Sequence, residues 1–441
     1  MIQRTTRLGA IVVWLLAGER TLAQTERSST VNVLPVPSGS AAIGRVTYHW
    51  IDSARAEFLD ERVSARRELL VDVWYPAART TRSATAPYLP NLSLLRRTLP
   101  DSVMRRRFAP AYVLMEAGRL WSHAVEGAPA HCPRRGCPVL IFSHGGGVDR
   151  SFYTAQYEDL ASHGYVVAAI AHTFDTHLVV FSNGRVVRYA PQPRDTTPLD
   201  MALPQWRREL QRDARSQAYV RRVINMEAGD IRFVIDRLTR YAQDSGLRAP
   251  FVHQLDLTRI GALGHSAGGE AAARGCQLDR RIKACLNQDG AMHNLPFSRD
   301  SAGRTMDQPF LYFTRAYHRP VDSDSALAAM GMTRAEHDSL IADIEAGPGL
   351  LLSNMPGGAY RVSLNTPGVT HMSFSDEPLL EAVGDSVKRA NALRALGYVE
   401  SYSRAFFDKM LLGRKTTVLD VPRPADSNLV VEWFPRRPVA R

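Results

Sequence analysis

The sequence predicts an α/β fold: a mostly parallel central sheet, flanked by helices and carrying helical insertions. Three observations predict it. Pro138–His144 is a continuous apolar run, as expected of a strand buried on both faces. Tyr165–Ala171 is a second such run, and a helical stretch from Tyr153 to His163 separates the two. Strand, helix and strand in that order imply parallel pairing. Arg259–Leu263 is a third strand, and it runs through a glycine-rich turn into the helix former Glu270–Arg274.

The remaining elements follow in order. Arg67–Pro76 carries Leu69, Val71 and Val73 in alternation, and Pro76 is expected to stop the ladder. Residues 90–125 are Arg-rich with helical stretches. Residues 204–243 read as helix, with Ile231, Val234, Ile235 and Leu238 on one face. Further buried strands are expected at Ile282–Asn287, Pro309–Thr314 and Tyr360–Leu364. Residues 324–346 read as one helix and Pro378–Leu412 as another. A single domain over residues 24–413, with insertions near 90–130, 178–215 and 316–350, fits the chain better than two domains. Residues 414–441 read as a Pro-rich tail.

The N-terminus has the pattern of a secretory signal. Arg4 and Arg7 precede the apolar run Leu8–Gly18, which is too short to span a bilayer comfortably. Thr21-Leu22-Ala23 supplies small residues for cleavage, so residues 1–23 are expected to be removed and the chain to be secreted or periplasmic. Four Cys in an exported chain suggest disulfides; of the three possible pairings, Cys132 with Cys137 and Cys276 with Cys285 are favoured. Their spacing does not suit zinc, and no metal or other cofactor is expected.

With 45% hydrophobic and 22% charged residues the composition is that of a soluble globular protein. The net charge is +11, but the Arg are spread along the chain rather than gathered with aromatics. That argues against nucleic acid as a partner. It suits attraction to anionic substrates or a peripheral contact with a membrane surface.

Gly264-His265-Ser266-Ala267-Gly268 stands between a strand and a helix. G-x-S-x-G in that setting is the nucleophile elbow of an α/β-hydrolase fold. The turn is so tight that the Ser backbone is strained and its Oγ stands clear of the sheet, and Gly264 and Gly268 leave room where a Cβ would clash. Ser266 is therefore the candidate nucleophile, and the helix behind it aims N–H groups at a developing oxyanion. His265 is expected to point away from the Ser266 hydroxyl and to be structural. Ser143-His144-Gly145-Gly146-Gly147 follows the first buried strand, where a second oxyanion donor belongs. The expected donors are the N–H groups of Gly146 and Ala267, and His144 is expected to shape the loop by a hydrogen bond.

The triad order in this fold is Ser, acid, His. His371 follows the last core strand and is the candidate base; His318 and His337 lie in an insertion and His293 is a weak rival. Asp289, in Asn287-Gln288-Asp289-Gly290 directly after a strand, is the favoured acid. Asp322 and Asp324, after the next strand, are the alternatives.

Taken together these motifs resemble the plasma and intracellular type II platelet-activating factor acetylhydrolases. The matching residues are Val73-Trp74-Tyr75-Pro76, Phe142-Ser143-His144-Gly145, Asp159–Tyr165, Asp230–Asp236, Gly264-His265-Ser266, Asp289 and Gly368–Phe374. The resemblance spans roughly residues 35–412. It implies a metal-independent Ser–Asp–His enzyme that cleaves short or oxidised acyl chains from phospholipids, with the acid after the earlier strand, as at Asp289. The chain departs from the pattern at Gly146, which replaces a larger residue, and at Ala267, where the family often has an aromatic. The expected function is ester or lipid hydrolysis, phospholipase-A2-like. A dienelactone-type hydrolase or peptidase on the same fold is the alternative, and a non-catalytic binding protein a third.

Overall fold

In the computed structural model the described residues are 31–436, apart from 61, 63, 80–83, 191–204, 245–248, 293–305, 316–322, 330 and 421–425. Residues 1–23, read above as a signal segment, therefore lie outside the described residues, as do His293, His318 and Asp322.

Six strands form the parallel heart of the sheet. They are β4 (Cys137–Ser143), β5 (Val166–Ala171), β8 (Leu255–His265), β9 (Ile282–Gln288), β10 (Phe310–Arg315) and β11 (Ala359–Leu364). Their order is β11-β10-β9-β8-β4-β5, with every pairing parallel. All of β4 and β5 is buried, which explains their unbroken apolar sequence. Alternate residues feed opposite faces. Val139 and Ile141 join one core, Leu140 and Phe142 the other.

Antiparallel strands extend both edges. β2 (Arg66–Ala77) pairs with β5, and β1 (Ala42–Ala56) pairs with β2; β1 also meets the short β3 (Val125–Glu126) in parallel. At the other edge β12 (Leu429–Phe434) pairs with β11. The Pro-rich end of the chain thus supplies an edge strand rather than only a tail, because Leu429 and Val431 are buried against the sheet. Pro76 does not end β2. The β5 ladder stops at Trp74, so Pro76 needs no donor on that side, while β1 pairs on to Ala77. A separate hairpin, β6 (Leu178–Val180) with β7 (Val186–Arg188), lies in the second insertion.

Helices cover both faces. Three short ones, α1 (Leu92–Thr98), α2 (Asp101–Arg107) and α3 (Ala111–Glu116), build the first insertion. Its Leu95, Met104 and Phe108 share a core with Leu178 of the hairpin. One face of the sheet holds α4 (Thr154–Ser162) and α10 (Ser386–Leu412), through Tyr157, Leu160, Val399 and Phe406. The other holds α5 (Gln205–Gln243) and α6 (Ala267–Leu278), through Ile231, Val234, Ile235, Leu238 and Ala271.

Two expected helices are each broken in two. Residues 324–346 give α7 (Asp324–Ala329) and α8 (Arg334–Ser353), because Gly331 turns left-handed and Thr333 with Glu336 caps a fresh start. The stretch from Pro378 gives α9 (Glu377–Glu381) before α10, because Gly384 has φ 95° and Asp385 caps the N–H groups of Val387 and Lys388. Both favoured disulfides form: Cys132–Cys137, and Cys276–Cys285 between α6 and β9. Among the described residues no helix is long and apolar enough to cross a membrane.

Candidate active site

β8 ends at His265 and α6 starts at Ala267, which leaves Ser266 alone in the turn at φ 54°, ψ −126°. Such a positive φ is costly for a residue with a Cβ and persists only where its surroundings enforce it. The surroundings are close. A Cβ on Gly264 would sit 2.3 Å from Gly268 O, and one on Gly268 would sit 2.2 Å from Ser143 O. The strand, the turn and the β4 loop can approach only because both positions lack a side chain. Gln288 O accepts the Ser266 N–H at 2.9 Å and ties the turn to the end of β9.

Asp289 is the next residue after β9, also at positive φ (55°), with its N–H donated to Phe313 O. Asn287 Oδ1 accepts the Gly290 N–H at 2.7 Å and closes this turn. The Asp289 carboxylate is fully buried, and its Oδ2 lies 2.7 Å from His371 Nδ1, whose ring remains 38% exposed. The acid is thus sealed from water while the ring faces outward. Arg315, at the end of β10, donates its Nε–H to the same Oδ2 at 2.8 Å. Asp324 sits at the start of α7 and pairs at the surface with Arg334 at 2.6 Å. His337 lies on α8 beside Asp338. Neither meets Asp289 or His371.

The oxyanion candidates lie together. A Cβ on Gly146 would be 3.8 Å from the Ala267 Cβ. Gly145 N–H is donated to the Tyr153 hydroxyl and Gly147 N–H to Asp175 O. His144 shapes the loop as expected: its Nδ1 lies 2.8 Å from Gly145 O and its Nε2 accepts the His172 N–H at 3.1 Å. Burial pushes His144 down to about 4, so it stays neutral. The Asp175 carboxyl stands beside Gly146, and the fully buried Glu227 lies against Asp175. Desolvation first, and the Asp175 charge second, raise Glu227 well above the usual carboxylate range.

Two sets of contacts here were not expected from the sequence motifs. Gln288 donates to Gln156 Oε1 at 2.8 Å, and Gln156 donates to Phe374 O at 2.5 Å, holding the short helix His371–Phe374. Deeper, Arg67 forms a bidentate pair with Asp230, which also meets Arg55 and His172 Nδ1. Among the described residues no group of three or more His, Cys, Asp or Glu is placed to hold a metal ion.

Residues 34–383 match the family described as platelet-activating factor acetylhydrolase, isoform II. The chain belongs to this family. A relative named "Probable 1-alkyl-2-acetylglycerophosphocholine esterase", from Arthroderma benhamiae, is 25% identical over 88% of this chain and 91% of its own. The platelet-activating factor acetylhydrolase of Gallus gallus is 22% identical over 63% of this chain, which spans 64% of that relative's length. A solved structure, a ferulic acid esterase from Streptomyces cinnamoneus, superposes with a TM-score of 0.64 at 25% identity, covering 92% of this chain and all of its own. This family member is an ester hydrolase with the α/β-hydrolase fold.

Proposed function

We propose that the chain is an exported serine carboxylic-ester hydrolase, phospholipase-A2-like, that removes short acyl groups through Ser266, His371 and Asp289. The observation that carries this reading is the 2.7 Å contact of His371 Nδ1 with the sealed Asp289 carboxylate, one turn away from the strained Ser266. The carboxylate fixes the Nδ1–H tautomer, so Nε2 is left bare to take the Ser266 proton. Ser266 Oγ attacks the ester carbonyl, and the tetrahedral oxyanion is received by the N–H groups of Gly146 and Ala267. His371 then protonates the leaving alcohol, and water repeats the sequence on the acyl-enzyme. Export is supported by the two disulfides and by the N-terminal signal pattern.

The names of the relatives point to 2-acetyl phospholipids, whereas the ferulic acid esterase likeness points to a bulkier, aromatic acyl group. Gly146 and Ala267 leave the acyl side open to either. The test is a panel of p-nitrophenyl esters of increasing chain length, with methyl ferulate, a short-acyl phosphatidylcholine and a peptide beside it. The expected result is fast cleavage of short esters and of the short-acyl phospholipid, with none of the peptide. Cleavage of the peptide alone would overturn the reading.

A further inference from the structure

The His265 side chain lies between the two loops of the candidate site. Its Nε2 lies 2.8 Å from the His371 carbonyl oxygen, which can only accept, so Nε2 carries the hydrogen. Nδ1 is then bare, and it faces the Tyr153 hydroxyl at 2.9 Å. The Tyr153 oxygen in turn accepts the Gly145 N–H at 3.0 Å. One chain of donors therefore runs from the Gly145 amide through Tyr153 and His265 to the backbone of residue 371.

The chain is dry and close-fitting. His265 and Tyr153 are fully buried. The His265 ring lies 4.5 Å from the His371 ring and 5.7 Å from that of Phe374, centroid to centroid. A Cβ on Gly145 would be 3.1 Å from His265 Nδ1 and 3.4 Å from Ser266 Cβ, so the loop packs tightly against the relay and a side chain at residue 145 would crowd it. Desolvation, then the neighbouring His371, pushes His265 down to about 3, so it holds no charge against an imidazolium at residue 371.

We propose that His265 is a positioning residue: through Tyr153 on one side and the residue 371 carbonyl on the other, it aligns the oxyanion loop with the turn that carries the base. This rests on the serine-hydrolase reading above. It gives the residue before Ser266 a mechanical task, and it explains why a buried imidazole rather than an apolar side chain fills the space between two loops. Each link is a single directional hydrogen bond between neutral groups, so its loss shifts the loops without leaving a buried charge.

The experiment compares His265→Gln, His265→Leu, Tyr153→Phe and the His265→Leu/Tyr153→Phe double variant, with p-nitrophenyl acetate as substrate. His265→Leu is expected to lose about 100-fold in kcat with KM within about two-fold, the scale of a 1 Å misplacement. His265→Gln keeps a donor for the residue 371 carbonyl and is expected to recover about ten-fold of that. The double variant is expected to cost little more than His265→Leu alone, because both changes cut one chain. Histidine ¹⁵N spectra of the wild-type protein are expected to show one ring that stays the neutral Nε2–H form down to pH 5 and shifts in Tyr153→Phe. Unchanged kcat in soluble His265→Leu, or strictly additive losses, would overturn the proposal. If the histidine variants fail to fold, Tyr153→Phe and the spectra decide it alone: wild-type kcat together with an unmoved resonance overturns it. Failure of the underlying reading is seen separately, as the absence of an organophosphonate adduct on wild-type Ser266.

Discussion

Two buried polar networks meet at the same end of the sheet, and they are built differently. The first is ionic. Arg67, fully buried, is held by both oxygens of Asp230 and by Glu57, and Arg55 and His172 add to Asp230. It ties β1 and β2 to the long helix α5. The second is neutral. It runs from Gly145 through Tyr153 and His265 to residue 371, one hydrogen bond at a time. His172 and His144 connect the first network to the loop that begins the second. A multidentate ionic cluster fixes a framework, and any member removed leaves an uncompensated charge. A neutral relay sets loop positions within that framework at little electrostatic cost.

The largest effect on stability should come from breaking the ionic network. Arg67→Met would strip Glu57 of its guanidinium and leave Asp230 with only Arg55 and His172, and is expected to cost about 3–5 kcal/mol, measured by urea unfolding. The folded fraction should keep a kcat within a few-fold of wild type. A collapse of kcat with unchanged stability would reverse the roles assigned to the two networks.

The neutral network should be legible in pH. His265 is pushed down to about 3 and His144 to about 4 from 6.5, so the folded state binds fewer protons than the unfolded chain between those values. Their contribution is therefore whole above pH 6.5 and is lost as pH falls through this window, at about 1.4 kcal/mol per pH unit for each proton taken up. Asp376 has the opposite sign. Burial raises it from 3.8 to about 7, so its contribution declines as pH rises across that range. His265→Gln should flatten the acid limb of the stability profile, and Asp376→Asn should steepen it. Identical slopes in wild type and His265→Gln would show that residue 265 is not buried neutral.

The smallest effect concerns substrate choice. A Cβ placed on Gly146 would stand 3.8 Å from the Ala267 Cβ, so both small residues border the same space. Ala267→Phe is expected to narrow the acyl profile by a few-fold against branched and aromatic acyl esters, read as kcat/KM ratios. An unchanged profile would place the acyl group elsewhere.

Much of this was legible before any coordinates. The central parallel strands announce themselves because both faces are apolar, so no alternation is needed to find β4 and β5. The elbow is legible because Gly264 and Gly268 are dictated by contacts a Cβ would violate. β1 was missed because it carries Arg45, His49 and Asp52, and only the fold shows that Arg45 is buried with Glu126 as partner. The breaks at Gly331 and Gly384 were missed because helix formers stand on both sides. Arg315 and Tyr153 have no local signature. They reach the site from β10 and from the 3₁₀ turn before α4, through pairings that no spacing encodes.

In the proposed mechanism Ser266 is a nucleophile activated through His371 by Asp289, which the rate of phosphonylation by a fluorophosphonate, with the adduct located by mass spectrometry, probes at the reacting atom. Wild-type protein should carry one adduct, on Ser266. Asp289→Asn, folded by circular dichroism, should label more slowly by up to about 10⁴-fold, as expected when the base loses its tautomer. Asp324→Asn should label at the wild-type rate, since that carboxylate is spent on a surface pair with Arg334. An adduct on another residue, or Asp289→Asn labelling as fast as wild type, would contradict the account.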